Sequence, residues 1–245
     1  MSIYTKDFYA RIGAGSRQSA QVALPLVFDL LKPNSVLDVG CGSGTWLAVS
    51  SELGVQRIQG VDGAWVAADS LQISKDFFRA ADLTKPLQIE GPFDLVISME
   101  VAEHLPESRS QSFVNDLTAL SKAVLFSAAV PRQGGDMHIN EQWQDYWAQR
   151  FEACGYVAID CVRPAVWNDD RVDYWYAQNV LLYVSKELLA SNAALRSAFE
   201  KTNPLQLNLI HPKLFTMRLR KSKFKLWVDP YSRKLRSVRD RLRGK

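Results

Sequence analysis

Cysteine is scarce: Cys41, Cys154 and Cys161 form an odd set without C-x-x-C spacing. A disulfide framework and a cysteine zinc site are thereby excluded as organising devices, and a reducing cytoplasm fits. No apolar run approaches the roughly 18 residues of a membrane-spanning helix. The opening MSIYTKDFYARIG lacks the apolar core of a secretory signal. A cytoplasmic protein is expected, with at most peripheral contact at the inner face of the cell membrane. Histidine is equally rare, at positions 104, 138 and 211. A neutral proton acceptor working near pH 7 must come from these three. No internal repeat or low-complexity linker is present, so the 245 residues read as one large α/β domain with appendages.

What is present is unevenly placed. Residues 213–245 hold 13 Lys and Arg against Asp229 and Asp240, whereas residues 1–212 hold 17 basic and 24 acidic residues. An acidic body therefore carries a basic tail, and such asymmetry points to an anionic partner. The glycines are concentrated in VLDVGCGSGTW, residues 36–46. This reads as a buried strand, a turn that needs positive φ, and the start of a helix. Ser43 or Thr45 is expected to cap that helix, whose free N–H groups face a nucleotide-like ligand. The dinucleotide pattern G-x-G-x-x-G requires a glycine at 45, where Thr45 stands.

An apolar-striped helix is expected over 16–31, preceded by an aromatic strap or lid at 1–15 that ends in a flexible Gly13-Ala14-Gly15. After the glycine turn come a helix at 46–53 and a strand at 57–62 ending in Asp62. Strands are further expected at 76–80, 92–98, 123–128, 156–162 and 179–184, with helices at 112–120, ending at Phe151, and at 186–201. Asp62 lies 20 residues beyond Gly42, where a carboxylate can accept from two ribose hydroxyls. Strands alternating with helices predict a doubly wound sheet, with ligands outside the carboxyl ends of its strands.

The run D-x-G-x-G-x-G resembles motif I of class I S-adenosylmethionine (SAM) dependent methyltransferases. FDLVISMEVAEHLP (residues 93–106) resembles that family's fourth motif as found in quinone O-methyltransferases. The resemblance covers about residues 16–185. It implies a Rossmann-like α/β fold with a seven-stranded sheet, the last strand antiparallel; beyond it the apolar spacing at 186–201 and the basic run that follows read as a basic helical C-terminal extension at 186–245. It implies SAM as cofactor, with Asp38, Gly40, Cys41, Gly42, Gly44 and Trp46 shaping the pocket. Asp62 and Gly63 would then meet the ribose, Asp82 and Leu83 the adenine, and Met99 and Glu100 the methionine end. Asp82 also reads as an ordinary turn aspartate.

The acceptor is expected to enter over the loop at 131–143, where Asn140 reads as an N-cap. GGDMHINEQWQDYW (134–147) resembles bacterial methyltransferases associated with glycan and glycolipid modification. His138 is the candidate general base, with a loop-ordering role as its alternative; His104 is the second candidate, and His211 reads as structural. Trp143, Tyr146 and Trp147 are helix-spaced and expected in the core. The segment 166–176 reads as a packed hairpin or as an aromatic and acidic platform for a sugar. No cluster at metal-ligand spacing is visible, so no metal is expected.

The function expected is O-methylation of a hydroxyl on a saccharide or glycolipid-linked intermediate. A quinone or other small lipid is the alternative, followed by an RNA methyltransferase and a SAM-binding partner subunit without turnover. In the tail, Tyr231, Leu235, Val238 and Leu242 make an apolar stripe among arginines and lysines, as in an interfacial helix on anionic lipid. Anionic membrane is the first partner expected of it, self-association into a homo-oligomer the second, and nucleic acid the least.

Overall fold

The computed structural model describes residues 6–219. The tail stripe from Tyr231 to Leu242 lies outside the described residues. Two compact units are distinguished, residues 1–209 and 210–245. In the second, residues 212–219 are helical, and Lys213 N donates to His211 Nδ1 at 3.1 Å. His211 thus orders its own turn.

The first unit is built on seven strands: β1 (Ser35–Val39), β2 (Arg57–Asp62), β3 (Phe78–Ala80), β4 (Leu95–Met99), β5 (Ala123–Ser127), β6 (Tyr156–Ile159) and β7 (Leu181–Ser185). Their order is β3-β2-β1-β4-β5-β7-β6. Every pair is parallel except those made by β7, which runs antiparallel between β5 and β6. This is the mixed sheet expected from the sequence.

The central strands are apolar at successive positions because both faces are covered. Val36, Leu95, Ile97 and Leu125 point into one core, shared with Leu24 of α1 (Lys6–Leu31) and Leu47 of α2 (Thr45–Glu52). Their neighbours Leu37, Val39, Val96, Val124 and Phe126 point into the other. That core is closed by Phe113 and Leu117 of α3 (Ser110–Leu120) and by Trp147 and Phe151 of α4 (Gln144–Ala153). The period of two along each strand sorts one apolar run into two layers.

Several boundaries differ from expectation. Helix α1 begins at Lys6 and passes through Gly13-Ala14-Gly15, so the backbone of residues 6–15 is helix, not a flexible joint. Strand β3 is only three residues, preceded by a 3-10 turn at Lys75–Phe77. The segment 166–176, read as a packed hairpin or an acceptor platform, has no strands: it runs from the end of α5 (Arg163–Val166) into α6 (Tyr174–Asn179). The helix foreseen over 186–201 is broken into α7 (Lys186–Ser191) and α8 (Ala193–Glu200). Asn192 is the reason: its Oδ1 accepts from Ala194 N and Leu195 N while its Nδ2 donates to Leu30 O at 3.0 Å. With Leu195 in the α1-side core, α8 packs on the sheet.

The chain reverses its strand order between β1 and β4. Outside the carboxyl ends of these two strands lies the crevice where such sheets take ligands.

Candidate active site

The glycine turn is held by its own backbone. Gly40 N and Cys41 N donate to Val61 O, at 2.7 and 3.2 Å, and Gly44 N donates to Cys41 O at 2.8 Å. Gly40 has φ +83°, and a Cβ there would lie 2.3 Å from the Val101 side chain. Gly44 caps α2 in the left-handed conformation without a side-chain hydrogen bond. The expected cap by Ser43 or Thr45 is not made. Their hydroxyls lie 3.1 Å apart, and Gln72 Nε2 donates to Thr45 Oγ1 at 2.7 Å. The first amides of α2 therefore keep their outward aim.

Asp62 ends β2, and its carboxylate is fixed by two amides: Gly42 N donates to Oδ2 at 2.7 Å and Gly63 N to Oδ1 at 2.6 Å. Each oxygen retains acceptor capacity for one ribose hydroxyl. Burial raises its pKa, with these two bonds opposing. Asp38, 2% exposed, is held well above the usual carboxylate range by burial and by the Asp62 charge. Asp82 accepts from Thr84 N and Thr84 Oγ1, at 3.0 and 2.6 Å, which lowers its pKa. It is the turn aspartate of one reading, placed in the cavity wall as the other requires. Buried Arg109 steadies this turn through Leu83 O and Lys85 O, at 3.2 and 2.9 Å.

These groups line a cavity of about 590 Å³. Of the residues expected to meet SAM, Asp38, Gly40, Cys41, Gly42, Trp46, Asp62, Asp82, Leu83, Met99 and Glu100 line it. Gly44 and Gly63 stand behind the wall, shaping the α2 start and the Asp62 carboxylate. Trp65, unmarked by any motif, lines the cavity beside Gly63.

Beyond β4 the wall is a polar network. Glu100, at φ +55°, accepts from Gln133 Nε2 at 2.7 Å and Asn179 Nδ2 at 3.0 Å. Asn179 Nδ2 also reaches Gln133 Oε1 at 2.9 Å, and Gln178 Nε2 reaches the same oxygen at 3.1 Å. No local spacing announces this set, because its members come from the residue after β4, the loop after β5 and the end of α6.

The loop at 131–143 is tied down by Glu103, whose carbonyl accepts from Ile139 N and Asn140 N at 2.9 and 3.0 Å. Asn140 is not the expected N-cap. It is 3% exposed, and its Nδ2 donates to Ser110 Oγ at 3.1 Å. The cap of α4 is Trp143, 37% exposed, whereas Trp147 is in the core. His138 Nδ1 lies 3.0 Å from Glu141 Oε1, and Glu141 also accepts from Arg132 N and Gly134 N, at 2.7 and 2.5 Å. The His104 and His138 rings meet edge to face at 4.9 Å. His104 is lowered to about 4, first by burial and then by His138. The fold thus joins both candidate histidines with Glu103, which the sequence did not single out. Of the expected platform at 166–176, only Tyr174, Trp175 and Tyr176 line the cavity; Asp169 is paired with Arg171 instead.

Among the described residues, the lining contains six carboxyl groups (Asp38, Asp62, Asp82, Glu100, Glu103, Asp136) and no Lys or Arg. A pyrophosphate would find no cationic side chain among these described residues to meet it. A ligand carrying ribose hydroxyls and a cationic centre would be matched.

Residues 15–160 match the family described as Methyltransferase domain. The chain is 34% identical over 94 residues to the ribosomal protein L11 methyltransferase of Methylobacillus flagellatus, covering 35% of this chain and 30% of that protein. It is 35% identical over 98 residues to a probable chloroplastic tocopherol O-methyltransferase of Oryza sativa subsp. japonica, covering 37% and 26%. The match therefore spans less than a third of the length of these curated relatives. Streptomyces venezuelae DesVI shares the fold at TM-score 0.56 and 14% identity, over 73% of this chain and 95% of that one. So does a magnesium protoporphyrin IX methyltransferase from Synechocystis PCC 6803 with bound SAH, at TM-score 0.51 and 19% identity, over 70% and 84%. With its glycine turn, the strand-terminal Asp62 in the cavity wall and a family match over more than half its length, the chain belongs to the methyltransferase domain family, and its domain is of class I and SAM-dependent.

Proposed function

We propose that the protein O-methylates a hydroxyl of a small neutral acceptor, a saccharide or the sugar of a glycolipid-linked intermediate. The observation that carries this reading is the acidic cavity joining the glycine turn to the His104–His138 end. SAM supplies a methyl group on a sulfonium, and its transfer to a hydroxyl releases S-adenosylhomocysteine and one proton. Asp62 would hold the ribose, Asp38 and Glu100 would offset the positive charge, and Trp65 with Leu83 would flank the adenine. The acceptor's hydroxyl would lose its proton where Glu103, His104 and His138 converge, while Tyr174, Trp175 and Tyr176 offer faces for a sugar ring. The absence of Lys and Arg from the described lining disfavours a phosphate-rich acceptor such as RNA.

A quinol or similar lipid is the second reading. Met137 and Ile139, 58% and 63% exposed, stand at the cavity wall and would suit an apolar acceptor.

Calorimetric titration with S-adenosylhomocysteine tests the cofactor half. Asp62→Ala, which removes charge-assisted bonds to the ribose, should weaken binding by about 10- to 100-fold. Labelled SAM with a panel of sugars, quinols and RNA tests the acceptor half. Methylation of quinols or RNA with none of any sugar would sink the saccharide assignment.

A further inference from the structure

We propose that Glu103, His104 and His138 form a binding site for a divalent cation at the acceptor end of the cavity. The site itself stands on geometry alone; only the cation's role rests on the methyltransferase reading above.

One carboxylate oxygen and one nitrogen from each imidazole lie within 4.8 Å of one another. Around a cation with bonds of about 2.1 Å, tetrahedral ligand atoms are about 3.4 Å apart, so the three side chains need to draw in by about an ångström. A second observation points the same way. Glu103 is 0% exposed, and neither of its carboxylate oxygens accepts a hydrogen bond of normal geometry. A buried carboxylate left in that condition is costly unless a positive charge meets it. The nearby Glu100 charge aggravates the cost, which the amides of Glu103 and Ala129 offset only in part.

The imidazoles are also prepared as ligands. His138 Nδ1 is engaged by Glu141, leaving Nε2 as its remaining nitrogen. His104 is held by a hydrogen bond to the backbone of Met137. A ligating histidine is typically oriented by such an acceptor on its far nitrogen. The loop that delivers His138 is clamped to Glu103's carbonyl by two amides, so ligands 34 residues apart in sequence are fixed together. Two nitrogens and a carboxylate oxygen suit a first-row transition cation such as Mn²⁺ or Zn²⁺. Both histidines and Glu103 line the acceptor end of the cavity, so a further coordination position can face an acceptor hydroxyl. A cation there would favour loss of the hydroxyl proton to solvent, with the methyl transfer otherwise unchanged.

The test is titration of Mn²⁺ into chelator-treated, dialysed full-length protein, followed by electron paramagnetic resonance and by thermal unfolding. One saturable site per chain is expected, with Mn²⁺ raising the melting temperature. Glu103→Gln and His138→Ala should abolish that site while still binding S-adenosylhomocysteine, which shows that they fold. Glu141→Gln, which weakens the hold on His138 and on the loop that carries it, should weaken Mn²⁺ by about 10- to 100-fold. Asp62→Ala should lose the nucleoside ligand yet keep Mn²⁺, so the two assignments fail separately. Absence of saturable Mn²⁺ binding by wild type, or equal binding by Glu103→Gln and His138→Ala, would overturn the proposal.

Discussion

Asp38 stands at the end of β1 with its carboxyl held well above the usual range by burial and by Asp62. Such a group binds its proton more tightly folded than unfolded. Its contribution to stability is therefore favourable at low pH and is lost as pH rises from the ordinary carboxylate value, about 4, through the raised folded value. Asp38→Asn removes that loss. The ligand-free variant should melt higher than wild type at neutral pH, with the difference vanishing in acid, as scanning calorimetry would show. On the proposed role of Asp38 as a charged partner of the cationic ligand, the same change should weaken SAM by about 10- to 100-fold. A variant that melts lower at neutral pH would mean that Asp38 already has a stabilising partner in the free protein.

At the scale of elements, the loops behind the cavity are placed by single side chains. Tyr156, first residue of β6, donates to Ser121 O at 2.7 Å and to Thr118 O at 3.0 Å, fastening the sheet edge to the end of α3. Tyr156→Phe should cost about 1–3 kcal/mol in urea unfolding, since the two carbonyls lose their donor. Burial pushes this phenol up to about 12. Its stabilising effect is thus full below the ordinary tyrosine value and declines as pH rises from about 10 towards 12. The variant should lose less stability than wild type across that interval; equal slopes would show that folding does not raise the Tyr156 pKa. Asn192 acts similarly on the far side, and Asn192→Ala should cost about 1 kcal/mol by uncapping α8.

For the whole molecule, charge is divided between an acidic body holding the cavity and a basic tail. Among the described residues no helix is long and apolar enough to cross a membrane. The basic stretch is proposed to meet anionic lipid instead. Co-sedimentation with vesicles containing phosphatidylglycerol should capture the full chain at low salt, decline with added salt, and fail for a chain ending at residue 219. Retention by the shortened chain would place any lipid contact elsewhere. The sequence by itself determined the fold class, because apolar runs, glycine turns and strand-terminal acids are local patterns that dictate backbone. Motif I, Asp62 and the strand β4 with Glu100 were legible for that reason. It also marked both histidines, but as rival bases at unrelated positions. Only the tertiary structure decided that they meet each other and Glu103, that Asn140 is buried beside Ser110, and that Gln133, Gln178 and Asn179 surround Glu100. These contacts join residues tens of positions apart, and their geometry is set by how loops land on the sheet.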